Sequence, residues 1–189
     1  MKIEIQPLMA GKQVLSGSAD GRRLLAGLVA ATPVDAPQAV FLDFSGIEVA
    51  TVSFLREGVV AYKDFVRASR QGICPVIANA SPAVIEELEF FLEARNDAMW
   101  SCSLDGQDEA TDHRILGQLD PVQKKTFDLV TRHGYASAPE LAVGSPDEKI
   151  GTTAWNNRLS ALVAKGLLVE ERRGKVKVFK SLLGQSTHS

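Results

Sequence analysis

Between residues 1 and 104 the chain alternates short apolar runs with segments of helical periodicity, and nothing else in it restricts the fold as much. Ile3 and Ile5 fit a first short strand. Leu24, Leu25, Leu28 and Val29 recur at helical spacing over residues 20–31, a segment that ends at Thr32-Pro33. The apolar run at residues 39–44 precedes Ser45-Gly46 and suits a buried strand. A helix is predicted over residues 53–69, with Leu55, Val59, Tyr62 and Val66 on one face and Gly72 as its stop. Residues 75–78 read as another strand. Ser81-Pro82 then opens a helix through Val84, Ile85, Leu88 and Leu92, because proline in the first turn lacks only an N–H that has no partner there. Residues 99–104 make a last strand. Strands alternating with helices predict an α/β sheet with helices packed on it.

The periodicity fails at Asp105-Gly106-Gln107-Asp108-Glu109-Ala110-Thr111-Asp112, which is polar and acidic. Residues 105–118 are therefore expected to be a linker between a domain at 1–104 and a second at 119–183, with 184–189 a disordered tail. Charge divides with the domains. Residues 1–118 carry 16 acidic and 10 basic side chains, a balance of −6, and residues 119–189 carry 7 and 11, a balance of +4. Such asymmetry is a recognised mark of a part that faces nucleic acid.

In the basic part, Asp120-Pro121 caps a helix carrying Val122, Thr126, Leu129 and Val130, and Gly134 closes it. Ser137-Ala138-Pro139-Glu140 has capping-box spacing. A helix over residues 152–165 follows, with Leu159, Leu162 and Val163 buried, Trp155 a packing aromatic and Gly166 the cap. Two strands come next, 168–172 and 175–181, with Arg173-Gly174 as the turn. In the second, Val176 and Val178 alternate with Lys175 and Lys177, which predicts one packed face and one basic face.

The stretch Ile150-Gly151-Thr152-Thr153-Ala154-Trp155-Asn156-Asn157-Arg158-Leu159, continuing to Gly166-Leu167-Leu168, resembles the recognition helix and first wing strand of bacterial winged helix-turn-helix regulators. The resemblance implies that Thr152, Thr153, Asn156 and Asn157 face base edges in the major groove of double-stranded DNA. Arg158 would then reach a phosphate. Arg172, Arg173, Lys175 and Lys177 would lie along the backbone or minor groove and supply salt-dependent affinity.

In the first domain, Asp43-Phe44-Ser45-Gly46-Ile47, followed by Thr51-Val52-Ser53-Phe54-Leu55, resembles the STAS-like group related to anti-sigma-factor antagonists. That resemblance implies a domain that binds a protein partner or self-associates. It also aligns Ser53 with the serine that antagonists have phosphorylated. The acidic residue and the glycine that flank the antagonist serine are missing here.

The residues show no catalytic or metal-binding set. His113, His133 and His188 are isolated, Cys74 and Cys102 lack metal-ligand spacing, and the glycines form no phosphate loop. Glu86, Glu87, Glu89 and Glu93 read as solvated helix surface. No apolar run reaches the roughly 20 residues that a membrane-spanning helix needs. A cytoplasmic, non-enzymatic, homodimeric DNA-binding regulator without cofactor is the expectation. The alternative is a partner-switching protein controlled by serine phosphorylation, without DNA contact.

Overall fold

Ile3 points into the core from strand β1 (Lys2–Glu4), and Leu42 and Ile77 hold the same inward position on the next two strands, neighbours in register. The computed structural model describes residues 1–70 and 72–184 and divides into two units, Met1–Gln118 and Leu119–Ser189. In the first, β1 leads through the single turn α1 (Ile5–Leu8), β2 (Val14–Leu15) and α2 (Ser18–Ala31) to β3 (Ala39–Asp43) and β4 (Val49–Ala50). Helix α3 (Val52–Leu55) runs through a π-helical stretch, Arg56–Val60, into α4 (Ala61–Ser69). Then come β5 (Cys74–Ala78), α5 (Pro82–Ala94), β6 (Ala98–Leu104) and β7 (Ala110–Gly117).

The sheet order is β1-β3-β5-β6-β7, with β1, β3, β5 and β6 parallel and β7 antiparallel at the edge. A separate pair, β2 beside β4, places Val14 opposite Val49. Val40, Leu42, Ile77, Met99 and Leu116 from the strands meet Leu24, Leu28, Leu55, Val59, Val66, Leu88 and Leu92 from the helices, all buried in one core. The unit is thus a mixed α/β fold. Ile5 starts α1 instead of ending a strand.

The expected linker is not one. Residues 105–109 turn the chain, with the Asp105 carboxylate accepting from the backbone of Gln107 and Glu109 at 2.8 and 2.9 Å, and β7 then pairs along β6. An edge strand keeps half of its backbone and much of its side-chain surface in water, so a polar sequence does not argue against it. Only Leu116 of β7 is buried. His113, expected in a linker, lies on this strand with its ring edge-on to Trp100 at 5.5 Å.

Two glycines let α2 cross the π-helical stretch at backbone contact. A Cβ on Gly21 would stand 2.7 Å from the Phe54 carbonyl oxygen, and one on Gly58 would stand 2.9 Å from Leu24 Cδ2 and 3.1 Å from the Gly21 oxygen. Behind them, the buried Lys63 of α4 donates to Asp97 Oδ1 at 2.5 Å and to the Ala98 carbonyl at 2.7 Å, tying the helix to the start of β6.

The second unit comprises α6 (Pro121–His133), α7 (Ala138–Gly144), a 3-10 turn at Pro146–Glu148, α8 (Thr152–Ala164), and the hairpin β8 (Leu168–Arg173) with β9 (Val176–Ser181). Asp120 caps α6 by accepting from the Gln123 backbone at 2.8 Å. The Ser137–Glu140 capping box forms with both of its bonds. Val122 of α6 is 44% exposed, and Phe127 is buried beside Thr126 and Val130. Ala136 pairs with Phe179 on the outer edge of β9, adding a single-residue bridge on the side of the hairpin away from β8. Of the predicted tail, residues 185–189 lie outside the described residues.

Candidate nucleic-acid interface

Helix α8 is built by spacing. Trp155, Leu159 and Leu162 repeat at helical period and are fully buried, so the helix turns one stripe into the core. Gly166 and Leu167 donate back to Val163 and Leu162 at 2.8 and 3.0 Å and stop the helix there. The opposite stripe consists of Thr153, Asn157 and Ser160, all exposed, with Thr152 exposed beside them in the first turn. Asn156 is half-buried on the flank. Ser160 was not among the expected contacts, although it lies three residues beyond Asn157, on the same face.

Arg158 does not stand free as a phosphate contact. Its Nη1 donates to Glu148 Oε2 at 2.7 Å, and its guanidinium lies 5.0 Å over the Trp155 ring. Lys125 of α6 donates to the other oxygen of the same carboxylate. Glu148 therefore joins α6, the turn before α8, and α8 itself. The two cations hold its carboxyl below the usual carboxylate range, Lys125 contributing most. The Trp155 Nε1 is buried with no hydrogen-bond partner among the described residues. Lys149, which follows Glu148, is exposed in a left-handed conformation with φ 52° and has no ion pair among the described residues.

The hairpin turns at Gly174-Lys175, with Gly174 at φ 64°, so Arg173 belongs to β8 and Lys175 to the turn. A left-handed first residue matches the right-handed strand twist, and glycine takes it at low cost. Lys177 pairs with Glu170 at 2.8 Å, and Lys180 with Glu171 at 2.5 Å. Arg173 is exposed but stacks over Tyr135 at 4.2 Å. Arg172 and Lys175 are exposed and have no ion pair among the described residues. The expected division of β9 into a packed and a basic face also fails. Val176 is 45% exposed, whereas Val178 and its neighbour Phe179, which point to opposite faces, are both buried. The hairpin is basic at its tip and apolar at its base.

In the first unit, the Asp43-x-Ser45-Gly46 motif closes a turn after β3. Asp43 Oδ1 accepts from Ser45 N, Ser45 Oγ and Asn79 Nδ2 at 2.9, 2.7 and 3.0 Å. Burial pushes the Asp43 carboxyl up, but these donors and the Lys2 charge together hold it below its usual value. Ser53 lies in the first turn of α3, half-buried, with its Oγ 3.1 Å from Thr51 Oγ1. Cys74 and Cys102 are buried thiols whose pKa is pushed up to about 11 by desolvation. No group of three or more His, Cys, Asp or Glu among the described residues is arranged to hold a metal. No helix among them is long and apolar enough to cross a membrane.

Neither protein-family models, nor curated proteins, nor solved structures yield a match to this chain.

Proposed function

We propose that the chain is a DNA-binding transcriptional regulator whose second unit is a winged helix-turn-helix, with α8 as recognition helix and β8–β9 as wing. One observation carries it: α8 buries Trp155, Leu159 and Leu162 while Thr153, Asn157 and Ser160 form an exposed polar stripe. A stripe of small hydrogen-bonding side chains on an outward helix face suits base edges in a major groove. The hairpin tip, where Arg172 and Lys175 have no ion pair among the described residues, adds charge for the phosphate backbone. The first unit, STAS-like in its Asp43-x-Ser45-Gly46 turn, serves partner binding or dimerisation, and a two-fold dimer would read paired half-sites.

The test is fluorescence anisotropy of a labelled random duplex with the full chain at low and moderate salt. Saturable binding that weakens steeply with salt supports the proposal, and absence of binding at low salt refutes it.

A second reading, partner switching without DNA contact, draws on Ser53 in the first turn of α3 and on Val14 and Val49, which lie paired and exposed on the preceding β2–β4 ribbon. A phosphate at Ser53 would have to displace its contact with Thr51. Purification of the chain with a bound kinase and with phosphate on Ser53, and with no affinity for duplex, favours this reading.

A further inference from the structure

We infer that α8 reads A·T base pairs in preference to G·C, an inference that rests on the DNA-binding reading above. Guanine is read most often by a cation, Arg or Lys, placed bidentate on its O6 and N7. The exposed stripe of α8 has none. It offers Thr152, Thr153, Asn157 and Ser160. The one arginine on the helix, Arg158, is taken up by Glu148 and by the Trp155 ring. Freeing it would strand the Glu148 carboxylate, only 16% exposed, with Lys125 alone.

What remains matches an A·T pair on both strands. The Asn157 side-chain amide offers an acceptor and donors at the spacing of adenine N6 and N7. The Thr152 and Thr153 methyl groups can pack against the thymine methyl while their hydroxyls serve as donor or acceptor. Lys149 is the nearest cation in sequence that has no ion pair among the described residues, but it precedes the Gly151 cap in a left-handed turn and is not on the helix. Its compact ammonium suits a phosphate at the groove edge. Base choice thus falls to the neutral side chains, and backbone affinity to Lys149, Arg172 and Lys175.

The experiment is selection of bound duplexes from a randomised pool by the full chain, followed by sequencing, with N157A and K149A carried through the same selection. The expected result is an enriched core of A·T pairs, with roughly tenfold preference over G·C at the position that N157A makes indifferent. K149A should weaken binding to every duplex alike and leave the preference unchanged. An enriched core of G·C pairs, or binding with no base preference, overturns the inference while leaving DNA binding intact. Failure to retain any duplex overturns both.

Discussion

Glu148 and Arg158, ten residues apart, meet at 2.7 Å and fix the turn before α8 to the helix. With Lys125 on the other carboxylate oxygen, the contact sets how the exposed stripe of α8 is presented relative to α6. Its cost is that the arginine nearest the stripe is held by Glu148 and Trp155 and is not free to take part in the proposed DNA contact.

The clamp should make the second unit sensitive to acid. The Glu148 carboxyl is lowered by Lys125 and then Arg158, so its contribution is full above the ordinary Glu range and fades as pH falls through its lowered value. Glu140, lowered by the Ser137 hydroxyl, acts in the same direction. E148Q should therefore melt below the wild type by a constant margin at neutral pH. That margin should shrink below about pH 4. A margin that does not depend on pH would show that the loss does not come from the ionised Glu148 carboxylate.

The crossing of α2 with the π-helical stretch leaves no room for a methyl group. G58A should cost about 1–3 kcal/mol in urea unfolding, because the Cβ would strike Leu24 and the Gly21 backbone. G21A meets a carbonyl oxygen, which is harder to move than a side chain, and should cost at least as much. Unchanged unfolding midpoints would mean that the two segments are not in backbone contact.

Lys63 and Asp97 are both buried, and removing the lysine takes away the cation that faces the Asp97 carboxylate, although Ala98 N still donates to it. K63M should destabilise the first unit by about 3–5 kcal/mol. The double variant with Asp97→Leu should recover much of that loss, since an apolar pair leaves no charge behind. If K63M and the double variant unfold alike, the penalty is not one of stranded charge.

Charges on the hairpin should not count equally in DNA binding. R172A and K175A should each weaken binding to all sequences and reduce the salt slope by about 1. K177A should do less, because Glu170 already neutralises it, and E170Q should tighten binding by releasing Lys177. Equal effects of R172A and K177A on the salt dependence would contradict this ranking.

Helix starts were readable because their chemistry is local. Ser81, Asp120 and the Ser137–Glu140 pair each bond a backbone group three residues on, and each cap forms where its spacing placed it. The stripe of Trp155, Leu159 and Leu162 was likewise legible from periodicity. Strand β7 was not. It is the last strand of the sheet, only Leu116 is buried, and its partner is already satisfied on the other side by β5, so polarity alone read as linker. β2 and β4 are two residues each, too short to leave a period. The pairing of Arg158 escaped the sequence because it depends on the turn at Pro146–Glu148 and the left-handed Lys149, which bring Glu148 to α8. Side chains that looked equally cationic were sorted only by cross-strand register, which sets Lys177 opposite Arg172, within diagonal reach of Glu170, and leaves Lys175 in the turn.

Backbone amide NMR of the full chain during titration with duplex DNA tests the central claim most directly. Shifts concentrated at residues 149–160 and 172–177, with the core of Met1–Gln118 unmoved, are the expected result. Shifts confined to the first unit, or none anywhere at low salt, would contradict a recognition role for α8.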